Sequence, residues 1–244
     1  MTTMPPTFAL EMKERLIVAL DVSSAREAQD MVQRIGEGVV FYKVGLQLFT
    51  AEGPPVVRDL IASGRKVFLD LKLHDIPNTV AHAVKSATEL GAHMLTVHGG
   101  GGSDMLRAAV EAADRRLKLL AVTVLTSMDQ EDLNETGIPG PIKDHVLHLA
   151  ALAQRAGCDA VVSSPHEIVA LRKMLGPDFG IVIPSVRPAG ADSHDQQRVA
   201  TPAQTIADGA SHIVVGRPIT RAKDPAQAVR AIVDEMAGAV THAT

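Results

Sequence analysis

A single closed (β/α)8 barrel, with eight parallel strands each followed by a helix, is the fold this sequence predicts. Three observations predict it. Eight short β-rich runs alternate with amphipathic helical stretches from end to end, and that alternation implies a parallel sheet. The first strand runs into Asp21-Val22-Ser23-Ser24, which is not the Gly-rich loop expected of a doubly wound dinucleotide fold. Polar and charged residues collect where the strands end, the end at which barrels carry their chemistry.

The strands are expected over 16–21, 39–44, 66–71, 93–98, 118–125, 160–163, 180–184 and 212–215. The helices between them fall over 25–35, 55–63, 79–90, 103–113, 143–156, 167–175 and 201–208. A last helix opens at Asp224-Pro225, a capping Asp followed by Pro at the first helical position. The 244 residues contain no linker or low-complexity segment, so one domain spans 1–244, with 1–14 as an N-terminal extension. The longest irregular stretches are 127–141 and 185–199. The second holds Arg187, Pro188, Gly190 and Gln196 and reads as a lid over the phosphate side of a barrel site.

Composition narrows the function. The formal net charge of −4 offers no footprint for nucleic acid or an anionic membrane. Aromatics make up 2%, which disfavours base-stacking platforms. No run approaches the ~18 apolar residues of a membrane span. The single Cys158 excludes an intrachain disulfide and fits the cytoplasm. His145 and His148 beside Asp144 read as a wet helix face, and no spacing supports a metal site.

The most informative segment runs from Phe68 to Thr79. Period-two alternation sends Leu69, Leu71 and Leu73 to one side and Asp70, Lys72 and His74 to the other, with Asp75 following at the strand end. Two carboxylates and an ammonium this close are costly to bury, and catalysis accounts for them better than folding does. Other strand ends contribute Asp21, Lys43, Thr126, Ser163 and Arg187. The last strand runs into Gly216-Arg217-Pro218, where a glycine lets backbone N–H groups approach an anion and an arginine adds a clamp. The run 99–102 of four glycines reads as a turn before a helix in preference to a phosphate cradle.

The string Asp70-Leu71-Lys72-Leu73-His74-Asp75-Ile76-Pro77-Asn78-Thr79 resembles the signature of the orotidine 5′-phosphate decarboxylase family. The similarity runs from Ile17–Asp21 through Phe41–Gly45 and Val122–Thr126 to Val214–Thr220. It implies a homodimeric barrel, free of metal or organic cofactor, that converts orotidine 5′-monophosphate to UMP and CO2 in the last step of pyrimidine synthesis. It further implies that Lys72 is the proton donor, flanked by Asp70 and by Asp75 of the partner subunit, with Lys43 completing the charge network. Asp21, Lys43 and the partner subunit's Thr79 would contact ribose, and Thr126 the pyrimidine. Arg187, Gln196, Gly216 and Arg217 would hold the phosphate. Ser185-Val186 stands before Arg187 where Gly-Ile is usual in the family. Loss of CO2 from C6 leaves an in-plane carbanion that the ring cannot delocalise, so the protein must bring positive charge to C6. Three rivals remain: a magnesium-dependent 3-keto-L-gulonate 6-phosphate decarboxylase, which has Glu where this chain has Lys43; an aldolase-type barrel with a Schiff-base lysine; and a non-catalytic phosphate-binding barrel.

Overall fold

The computed structural model of the protein describes residues 12–188 and 200–241. Eight strands form a closed barrel in sequence order, β1(Leu16–Ala19), β2(Phe41–Gly45), β3(Lys66–Leu73), β4(Met94–His98), β5(Lys118–Val122), β6(Ala160–Val162), β7(Gly180–Ile183) and β8(His212–Val215). Every neighbouring pair is parallel, and β8 closes on β1 through Ile17 against Val214. The principal outer helices are α1(Ala25–Ile35), α2(Leu46–Glu52), α3(Pro54–Ala62), α4(Pro77–Leu90), α5(Gly102–Ala113), α6(Gln130–Glu135), α7(Ile142–Ala156), α8(Ile168–Leu175), α9(Pro202–Ala207), α10(Arg217–Thr220) and α11(Pro225–Thr241).

Two hydrophobic layers hold this arrangement. Ile17, Phe41, Phe68, Met94, Leu120, Val182 and Val214 fill the barrel interior. Alternate residues such as Leu16, Val18, Tyr42, Val44, Leu95 and Val215 face the helices. The period of two also positions the site. Along β1 the inward column runs Ile17, Ala19, then Asp21. Along β2 it runs Phe41 then Lys43, along β3 Phe68 then Asp70, and along β8 Val214 then Gly216. The first three columns begin apolar inside the barrel and end in a charged side chain at its C-terminal mouth, and the β8 column ends in glycine there.

Several expectations need correction. The stretch 127–141 is not wholly irregular, because Asp129 caps α6 through a capping box with Asp132. Helix α2 follows β2 directly, with no loop between Gly45 and Leu46 to mark its start. Strands β1 and β5 stop at Ala19 and Val122, earlier than their apolar runs suggest, because the chain turns at the mouth. At the other face, residues 12–15 are helical. Met12 is buried in the core, and Arg15 donates to the carbonyls of Ala210 (2.6 Å) and Ser211 (3.0 Å).

Candidate active site

The inward columns converge on a cavity of about 230 Å3 whose lining includes Asp21, Lys43, Asp70, Lys72, Thr126, Arg187, Gly216 and Arg217. Eight of the sequence-predicted residues therefore meet in one place. Asp75 and Thr79 do not. Both are exposed, and Asp75 lines a separate open concavity with Ile76, Pro77 and Gly101. Gln196 and most of the expected lid lie outside the described residues. The stems of that segment are joined by a parallel bridge between Val186 and Ala200, with Arg187 N–H donating to the Ala200 carbonyl at 3.0 Å.

The charges alternate in space. Lys43 Nζ lies 3.0 Å from Asp21 Oδ1 and 3.6 Å from Asp70 Oδ2. Lys72 Nζ donates to both Asp70 oxygens at 2.9 Å. Burial alone would raise the Asp70 carboxyl. Lys43, then Lys72, and hydrogen bonds from Lys72 and Thr96 outweigh it, so the group is held below its ordinary value as a carboxylate.

Strict alternation along β3 does not produce this geometry, and the expected simple pleat is wrong past Asp70. Lys72 has φ +49, and the register with β4 shifts between Leu69 and Leu73. A left-handed lysine costs roughly 1–2 kcal/mol. Thr96, fully buried on β4, stabilises the kink from both sides. Its hydroxyl accepts from the Lys72 N–H at 2.8 Å and donates to Asp70 Oδ1 at 2.9 Å. Sequence reasoning missed Thr96, because a threonine inside a β-branched run is ordinary strand material. It missed Gly45 for a similar reason. A Cβ there would sit 2.9 Å from Lys43 Nζ and 3.5 Å from Asp21 Oδ1, so the bare backbone leaves room for the ion pair.

At the opposite wall Ser185 is buried with φ +67, a conformation glycine adopts at little cost. Its hydroxyl lies 3.3 Å from Thr126 Oγ1, a contact that glycine could not make. A Cβ at Gly216 would lie in ordinary contact with Ala19 Cβ at 3.5 Å and Asp21 Oδ2 at 3.7 Å, and the residue leads into Arg217. The glycine run after His98 is a turn of packing origin. A Cβ at Gly101 would collide with the Met105 sulfur at 2.1 Å, and one at Gly99 would meet the Val122 carbonyl at 2.9 Å. Cys158 is buried and its thiol is pushed up to about 12, chiefly by that burial. Among the described residues no three His, Cys, Asp or Glu side chains are grouped to hold a metal ion.

A parallel barrel whose C-terminal mouth gathers alternating ammonium and carboxylate groups is built as barrel enzymes are built. The sequence from 14 to 232 matches the model of the orotidine 5′-phosphate decarboxylase / HUMPS family, and the chain belongs to that family. It is 52% identical over 219 residues to an orotidine 5′-phosphate decarboxylase from Anaeromyxobacter dehalogenans, covering 90% of this chain and 96% of the relative. It is 51% identical over 237 residues to one from Methylobacterium sp. strain 4-46, covering 96% and 100%. Among solved structures, orotidine 5′-phosphate decarboxylase from Lactobacillus acidophilus superposes with a TM-score of 0.83 at 40% identity, covering 91% of this chain and 99% of that one.

Proposed function

We propose that this protein is an orotidine 5′-phosphate decarboxylase, releasing CO2 from orotidine 5′-monophosphate to form UMP, in the last step of de novo pyrimidine synthesis. The observation that carries the reading is the Lys43–Asp70–Lys72 array, with Lys72 Nζ donating hydrogen bonds to both oxygens of one carboxylate inside the mouth cavity. In the reaction the C6–carboxylate bond breaks, its electron pair stays on C6, and CO2 departs. The Lys72 ammonium stabilises that pair electrostatically and then transfers a proton to C6, and the amine regains a proton from solvent. Asp70 holds Lys72 on target. Asp21 and Lys43 bind ribose and Thr126 binds the pyrimidine. Arg187, Gln196, Gly216 and Arg217 take the phosphate, whose remote binding energy serves the chemical step.

The working unit we propose is a homodimer in which Asp75 and Thr79 complete the partner subunit's site. Their exposure supports this, as does Ile76, an apolar side chain left 66% exposed beside Asp75. The single buried thiol of Cys158 is consistent with a cytoplasmic location, and no helix among the described residues is long and apolar enough to cross a membrane.

A magnesium-dependent sugar-phosphate reading fits less well. The Lys43 and Lys72 ammonium groups together already balance the Asp21 and Asp70 carboxylates that a divalent cation would need. Following the absorbance of orotidine 5′-monophosphate with EDTA-treated protein tests the assignment, and turnover should be undiminished. Mixing inactive Asp70→Ala and Asp75→Ala proteins should restore part of the activity through hybrid dimers with one intact site. No recovery after verified subunit exchange would remove the shared site.

A further inference from the structure

The end of the barrel remote from the mouth holds a second concavity of about 780 Å3. Among the described residues its rim and walls carry six cations, Arg15, Lys66, Arg115, Arg116, Lys118 and Arg172, and one lining carboxylate, Glu14, in a chain of formal net charge −4. We propose that this concavity binds a small polyanion bearing several phosphate groups, separately from the substrate site.

Four observations lead there. First, local neutralisation is incomplete. Glu14 pairs with Lys66 at 3.3 Å and Asp114 with Arg116 at 3.6 Å, while the side chains of Arg115 and Lys118 have no salt bridge among the described residues. Second, the turn that presents the arginines is strained. Asp114, the C-cap of α5, and Arg115 both adopt left-handed backbone, at φ +48 and +56, which turns the chain so that Arg115 and Arg116 face the concavity. Third, Arg172 is fixed as part of a rigid wall. Its guanidinium donates to the carbonyls of Gly176, Phe179 and Gly209 at 2.6–3.1 Å, and the Asp178 carboxylate favours its charged form. Fourth, the floor is Phe41, set edge-on between the rings of His93 and His212. Burial first, then Lys118, Arg15 and Lys66, with Glu14 opposing them, push the His212 imidazole down to about 4. His93 is pushed down by burial and then by Lys66, and it accepts from the Val67 N–H through Nδ1.

The concavity has the size of a small-ligand site. With 2% aromatic content in the chain, and Phe41 already held edge-on by His93 and His212, the concavity offers no row of aromatic platforms for successive bases of single-stranded nucleic acid. A compact polyanion therefore fits better than a polymer, and spread phosphates match cations placed on separate elements.

The test is calorimetric titration of the full chain with inorganic tripolyphosphate at 150 mM salt. Because the mouth also has cations, the titration is repeated with Arg217→Ala, and then with Arg115→Ala/Lys118→Ala. We expect binding to persist in Arg217→Ala and to weaken tenfold or more in the double variant, with decarboxylation unchanged in the latter. Lys118→Gln alone, a milder change, should weaken binding severalfold, and Lys118→Arg should retain it. Absence of binding to the full chain, loss of binding with Arg217 alone, or undiminished binding in the double variant would each overturn the proposal.

Discussion

Replacing Thr96 by valine, its near-isostere, should be among the most damaging single changes away from the reacting groups themselves. The substitution keeps the shape of a fully buried β4 position and removes only the hydroxyl. Two bonds go with it. The donation to the Asp70 carboxylate at 2.9 Å is a bond to a charged acceptor, worth about 1.5–3 kcal/mol. The acceptor for the Lys72 N–H at 2.8 Å also disappears, which leaves a strained peptide group unsatisfied at a cost of about 1–3 kcal/mol. A net loss of about 3–5 kcal/mol follows, or a fall in Tm on the order of 10 °C for a domain of this size. Urea unfolding of the wild type, Thr96→Val and Thr96→Ser measures it. The serine variant, which keeps the hydroxyl, should recover most of the loss. A Thr96→Val protein within ~0.5 kcal/mol of wild type, the usual span of an inconsequential substitution, would refute the claim that Thr96 holds the Lys72 kink.

Asp70 predicts a pH dependence of stability. Its folded pKa lies below the ordinary 3.8, so its contribution is present above that value and is lost as pH falls through the lower, folded one. The stability gap between wild type and Asp70→Asn, followed by urea midpoints, should be constant from pH 7 to about 5 and shrink below about 4; a gap that does not change down to pH 3 would contradict this. Gly45→Ala should fold normally, since φ −96 suits any residue, yet displace the Lys43 ammonium and lower kcat/KM by about tenfold or more. Full activity in that variant would remove Gly45 from the site. Arg217→Ala should keep the fold and lose on the order of 10²–10⁴ in kcat/KM, the loss of a charge-assisted grip of a few kcal/mol; near-normal kinetics would exclude it from phosphate binding.

The barrel was legible because each level of the sequence agreed with the others. Period-two columns such as Ile17-Ala19-Asp21 and Phe68-Asp70 carry both the interior packing and the mouth chemistry, so one pattern revealed fold and site together. What escaped was whatever depends on contact between distant strands. The kink at Lys72 is set by Thr96, 24 residues away, and nothing in the run Phe68–Leu73 announces it. The need for glycine at 45 arises from Lys43 and Asp21, not from a turn. Ser185 in a left-handed conformation could not be foreseen from a residue type that usually avoids it. Asp75 and Thr79 marked the edge of what one chain can display, since they lie on its surface and outside its own cavity.

The central claim is that the Lys72 ammonium, held by Asp70 at the barrel mouth, performs the chemistry and does not merely bind the nucleotide. The most direct measurement pairs UMP binding with turnover of orotidine 5′-monophosphate in Lys72→Ala. The account predicts a folded protein that still binds UMP and has no detectable decarboxylation; turnover at a substantial fraction of the wild-type rate would contradict it.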